Sequence, residues 1–175
     1  MKKFFLAIIA FYTISLYAQD ISANEVIKPI EIGDRFRELV VPDSNNVKVK
    51  LSDYCGKGYY TLIEFGWTMC RPCHKDVSIL KGIYDKYHPY GLKIISIFID
   101  AKKEHWKSFI AKYTINWFHL LDVCGYKAKE VYGVKLVPLY LIIDPQGYVI
   151  FKNIGEQGHG SRNLIVPKLQ ELYGF

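Results

Sequence analysis

An apolar run of β-forming residues, Tyr59 to Phe65, leads into two cysteines, Cys70 and Cys73, where a helix-patterned segment begins. This strand, Cys-x-x-Cys, helix order constrains the chain more than any other stretch, because it marks where a sheet meets a helix N-terminus. A helix starting at Cys70 turns its free backbone N–H groups and positive dipole end toward that sulfur. Both effects stabilise the thiolate, the reactive form of cysteine. Pro72 suits the first helical turn, where its missing N–H costs nothing. The spacing closes a very small ring, which fits a reversible disulfide better than a structural staple. The stretch reads as a redox-active dithiol.

A zinc site is the competing reading of such a pair, and it needs two more closely spaced Cys or His ligands. The other cysteines, Cys55 and Cys124, are isolated singles, and His74, His88, His105, His119 and His159 are scattered. Only His74 adjoins the dithiol. No metal site is expected. Cys55 and Cys124 are left either to form a structural disulfide with each other or to remain free, and sequence does not decide between these.

Met1 to Ala18 has the parts of a secretory signal: Lys2 and Lys3, an uncharged apolar run from Phe4 to Tyr17, and a small residue at the cut. The run is short for a membrane span, which needs ~20 residues. The expectation is a protein exported to the periplasm or beyond, touching the membrane only if the signal stays uncleaved. The formal charge of +6 includes those two lysines, and no basic block follows. Nucleic acid is therefore not expected as a partner. At 175 residues, half of them hydrophobic, the chain has enough apolar mass for a real core.

After a lead-in at 19–33, one domain is expected over 34–175. Phe36 to Val41 and Val47 to Leu51 read as a β-hairpin around the turn-rich Pro42 to Asn46. From Asp76, Val77, Leu80, Tyr84 and Tyr87 recur at helical spacing until Pro89 and Gly91 end the pattern. Leu92 to Ile99 reads as a strand covered on both faces. Glu104 to Tyr113 and Lys127 to Tyr132 read as helices, with a short strand at Trp117 to Leu121 between them. Leu139 to Ile143 and Tyr148 to Ile154 form a hairpin around Asp144 to Gly147, and a last helix is expected from about Leu164, since Pro167 belongs near a first turn. The fold class is α/β: a mixed central sheet flanked by helices, with an N-terminal β-hairpin extension.

With those residues in view, the chain resembles the thioredoxin superfamily, and within it the exported TlpA/ResA-like thiol-disulfide oxidoreductases. The landmarks are Leu51-Ser52-Asp53-Tyr54 with Gly56-Lys57, Cys70-Arg71-Pro72-Cys73, Tyr132-Gly133-Val134, Val137-Pro138, and Leu141 to Asp144 with Gly147. Two positions depart from the family pattern: Met69 stands where a Trp usually precedes the first cysteine, and Leu139 stands where a small polar residue often follows the proline. The resemblance implies a thioredoxin fold and a cis Val137–Pro138 bond beside the dithiol. It also implies that Val137 backbone groups pair with an extended substrate peptide.

On this reading Cys70 is the nucleophile that forms a mixed disulfide, and Cys73, one turn on, resolves it. Glu64, on the entering strand, is expected to be desolvated with a raised pKa and to relay a proton to or from Cys73. Asp76 is the second acid, at a position that is acidic in ResA-like relatives, and Glu64 is preferred to it. Arg71 supplies a positive charge that stabilises the thiolate, and Trp67 is a candidate for the groove wall. No cofactor is needed, because the cysteines carry the electrons. The partners are protein thiols and disulfides, with a membrane electron-transfer protein supplying electrons, and the relatives include reductases of cytochrome c maturation. The alternative is a Sco-like copper metallochaperone, which wants three residues between its cysteines where this chain has two. A peroxiredoxin-type peroxidase wants Pro-x-x-x-Thr-x-x-Cys, and Ile63 and Trp67 stand at its Pro and Thr places.

Overall fold

A computed structural model describes residues 28–155 and 162–175. The expected signal segment and most of the lead-in lie outside the described residues. The apolar run into the cysteines is β3 (Thr61–Gly66), and every residue of it is buried. It is the middle strand of a five-stranded sheet ordered β5-β4-β3-β6-β7, completed by β4 (Lys93–Phe98), β5 (Phe118–Leu121), β6 (Leu139–Ile143) and β7 (Val149–Ile154). β3, β4 and β5 run parallel, β6 runs antiparallel to β3, and β7 antiparallel to β6. The parallel pairs are linked through helices and the antiparallel pair β6–β7 through a tight turn, as each geometry requires.

Alternation along β3 divides the interior. Ile63 and Phe65 face a core shared with Leu39, Val41, Leu51 and Tyr132. Leu62 faces the other core, with Val77, Leu80 and Ile83 of α1 (Arg71–Tyr87), Trp106 and Phe109 of α2 (Lys103–Tyr113), and Ile165 and Leu169 of α4 (Arg162–Tyr173). α3 (Tyr126–Tyr132) covers the first face, and Asp122 caps it by accepting from the Ala128 N–H at 2.6 Å.

The N-terminal hairpin is β1 (Val40–Pro42) paired with β2 (Lys48–Lys50), shorter than its apolar pattern suggested. The flanking residues are engaged elsewhere. Phe36 N–H donates to Gly147 O at 2.8 Å, Arg37 N–H to the Tyr132 hydroxyl at 3.1 Å, and Leu51 opens a 3-10 turn. The end of the lead-in is packed too: Ile30 is buried and its N–H reaches Tyr132 O at 3.2 Å. α4 begins at Arg162, two residues before the expected Leu164, so Pro167 sits inside the helix. Burial of Ile165 and Leu169 against the sheet outweighs the proline's local preference.

Candidate active site

Gly66 ends β3, the chain turns through Trp67 to Met69, and α1 starts at Arg71 with Cys70 as its N-cap. The cap is the sulfur itself, which lies 3.3 Å from the Cys73 backbone N–H. That contact uses one of the donors a helix N-terminus leaves open. The turn is held from two sides. Thr68 gives its backbone N–H to Asp100 Oδ2 at 3.2 Å and its hydroxyl to Oδ1, just beyond the end of β4. From α1, His74 Nε2 lies 2.6 Å from Thr68 O. A carbonyl only accepts, so Nε2 donates to it, and Nδ1 lies 2.8 Å from the Tyr113 hydroxyl. Burial pushes the Asp100 carboxyl up, against the pull of its bonds to Thr68.

Cys70 and Cys73 are joined as a disulfide, with Cα atoms 5.3 Å apart. Cys70 keeps 8% of its surface exposed and Cys73 1%, so Cys70 is the more accessible of the two. Val137 O lies 3.6 Å from the Cys70 sulfur, and the Val137–Pro138 bond is cis. Pro138 is seated against Gly155, whose N–H donates to Pro138 O at 2.5 Å. A Cβ at Gly155 would collide with the Pro138 ring, so nothing larger than hydrogen fits there. Trp67 and Met69 are exposed around the disulfide, and Arg71 is exposed between its two cysteines.

Behind the disulfide lies a buried polar row. Register places Ser96 of β4 and Tyr140 of β6 on either side of Glu64. Ser96 donates to Glu64 Oε2 at 2.5 Å and itself accepts from Trp117 Nε1 at 2.9 Å. The other oxygen, Oε1, turns toward Gly66 at the dithiol end of β3. Burial is the main cause that raises the Glu64 pKa to about 7; the Asp76 charge adds to it, while hydrogen bonds from Ser96 and Tyr140 oppose it. Asp76, one turn beyond Cys73 on α1, is also buried and accepts from the Tyr140 hydroxyl at 3.0 Å.

Cys70, Cys73, Val137 and Pro138 therefore come together at the carboxyl end of β3. Glu64 and Asp76 stand behind them, and Trp67 and Arg71 lie on the exposed rim. The suggested Cys55–Cys124 disulfide is not made, and both are free thiols. Cys55 is buried beneath the hairpin, where burial pushes its thiol up to about 12, while Cys124 is exposed on the turn after β5. Sequence reasoning passed over Ser96, Asp100, Tyr140 and Gly155. Ser96, a lone hydroxyl in an apolar strand, was the one visible signal among them.

The AhpC/TSA family model matches residues 32–152, more than half the chain. The chain belongs to the AhpC/TSA family. Within it, the thiol-disulfide oxidoreductase ResA of Bacillus cereus is 33% identical over 128 residues, covering 73% of this chain and 72% of that protein. The ResA protein of Bacillus subtilis is 28% identical over 142 residues, covering 79% and 78%. Among solved structures, a thiol:disulfide interchange protein of the DsbE type from Chlorobium tepidum matches with TM-score 0.70 at 24% identity, covering 82% of this chain and 97% of that one. The thioredoxin domain of a Bacteroides vulgatus thiol-disulfide oxidoreductase matches with TM-score 0.71 at 23% identity, covering 82% and 98%. The fold is thus thioredoxin-like, and the TlpA/ResA-like resemblance holds for this AhpC/TSA member. Among the described residues, no group of three or more His, Cys, Asp or Glu is placed to hold a metal ion.

Proposed function

We propose that this protein is an exported thiol-disulfide oxidoreductase that exchanges its Cys70/Cys73 pair with disulfides of other proteins, acting as a reductase. The carrying observation is the disulfide at the N-terminus of α1, with its more exposed sulfur beside the Val137 carbonyl. In the reduced form the α1 N-terminus stabilises the Cys70 thiolate, which attacks a substrate disulfide. Cys73 then attacks the mixed disulfide, the pair closes, and the substrate leaves reduced. Arg71 adds positive charge at the same point, Trp67 walls the approach, and Val137 offers its backbone to an extended peptide.

The pair carries two electrons and asks for no organic cofactor. Export rests on Met1 to Ala18, and a membrane electron-transfer protein returns the pair to its dithiol form. The domain proper is assigned to 34–175 after a signal at 1–18 and a lead-in at 19–33. The Sco-like copper alternative is not favoured: the named relatives are thiol-disulfide oxidoreductases, and only two residues separate the cysteines. The test is Cys73→Ser, which leaves Cys70 unable to be released from a mixed disulfide. Mass spectrometry of exported proteins is expected to find clients attached at Cys70. If no client attaches in cells and the purified wild type fails to reduce a model disulfide, the proposal falls.

A further inference from the structure

Glu64 and Asp76 entered as rival candidates for one task, yet the structure links them. They approach from different elements, Glu64 from β3 and Asp76 from α1, and meet on either side of one hydroxyl. Tyr140 lies directly beside Glu64 in the β3–β6 register, and its hydroxyl donates to Asp76 Oδ2 at 3.0 Å. On the far side, Glu64 is held by Ser96, which is held in turn by Trp117. The next position along that row is His119 of β5, whose ring meets Trp106 edge-on at 5.4 Å. Glu64 thus has a fixed donor on one side and, on the other, a hydroxyl whose single proton two carboxyls can claim. Such a hydroxyl can take a proton from one carboxyl while giving its own to the other.

We propose that Tyr140 is a positioning residue that joins Glu64 and Asp76 into one proton-holding unit behind Cys73. The inference rests on the thiol-disulfide reading and deepens it. In the resolving step the Cys73 S–H bond breaks and its proton enters the unit. The Cys73 sulfur bonds to the Cys70 sulfur, the bond from Cys70 to the substrate sulfur breaks, and the substrate leaves as a thiolate. Two electrons pass from the dithiol to the substrate. Asp76 follows Cys73 by one turn of α1 and Glu64 Oε1 points up β3 toward the same end, so a proton entering at either carboxyl is shared across Tyr140. Burial favours the neutral form of Glu64, which suits it to hold that proton near neutral pH.

The test uses reduced full-length protein and the aromatic disulfide 5,5′-dithiobis(2-nitrobenzoate), which releases one coloured thiolate when Cys70 attacks and a second when Cys73 resolves. Tyr140→Phe is expected to leave the first phase unchanged and slow the second about tenfold, the scale of one lost hydrogen bond to a charged group. Tyr140→Phe combined with Asp76→Asn should be no slower than Asp76→Asn alone. An unchanged second phase in Tyr140→Phe, or losses that multiply between Tyr140→Phe and Asp76→Asn, overturns the proposal. If the wild type releases neither thiolate, the oxidoreductase reading itself fails. Carboxyl-carbon NMR then judges the link independently: in Tyr140→Phe the Glu64 midpoint should rise by about one pH unit, and an unmoved midpoint overturns it.

Discussion

The carboxyl of Glu64 is buried between Ser96 and Tyr140, and its burial has a thermodynamic consequence apart from catalysis. Its pKa rises from 4.5 to about 7 on folding, so the fold favours the neutral acid. The stability this contributes is full below the unfolded value and is lost as pH rises through the folded one. Glu64→Gln keeps a neutral amide at every pH. Between pH 4 and 8 the wild type should therefore lose about 3 kcal/mol relative to the variant. Denaturant titrations at the two pH values measure that difference, and parallel curves would contradict it. The two unpaired cysteines make a second contrast at this scale. Cys124 is exposed, whereas Cys55 is buried with a thiol pushed up to about 12. Iodoacetamide on the native protein should label Cys124 and spare Cys55, with both labelled after unfolding. A peptide pair joined through Cys55 and Cys124 in the mass map would refute the assignment of free thiols.

Among the elements, β6 depends most on a neighbour that sequence did not single out. Its approach through Val137 and Pro138 is held by Gly155, which gives its N–H to Pro138 O and leaves no room for a side chain. Gly155→Ala must push the proline or the end of β7 aside, since the clash is with a ring and with backbone. A loss of about 2 kcal/mol is expected, in the range of overpacked sites, together with slower attack by Cys70 because Val137 shifts with its neighbour. Thermal unfolding and the first thiolate phase check both effects. The contrast with α1 shows what a single chain can reveal. Val77, Leu80, Tyr84 and Tyr87 announce that helix by their spacing alone; Val77, Leu80 and Tyr87 are buried and Tyr84 is half-buried. Tyr140 and Ser96 lie in strands whose positions were equally plain, but their meaning depends on which residues stand abreast. Register is a property of strand pairs, so the row through Glu64 was not readable from any one strand. Gly155 carries no local signal, because its constraint comes from a proline elsewhere in the chain. Glu64 and the cysteines were legible because each breaks its local pattern: a charge in an apolar strand, and two thiols at a helix start.

Across the whole molecule, two cores share one sheet, and the site sits at the strand both cores bury. β3 obtains one neighbour, β4, from the chain that follows directly, and the other, β6, from far downstream. The cysteines and Glu64 belong to the first half of the chain; Val137, Tyr140 and Gly155 belong to the last third. Contacts between such distant segments are the slow ones to form. The Cys70 sulfur and the Val137 carbonyl are 67 residues apart in sequence. At a synthesis rate of about 5–20 residues per second, the cysteine emerges roughly 3 to 13 s ahead of that partner. For that interval both thiols of the pair, and Cys55 before them, are bare on a growing chain. The same sequence separation that lets a late strand complete the site also leaves Cys70, for that period, without the segment that comes to lie beside it.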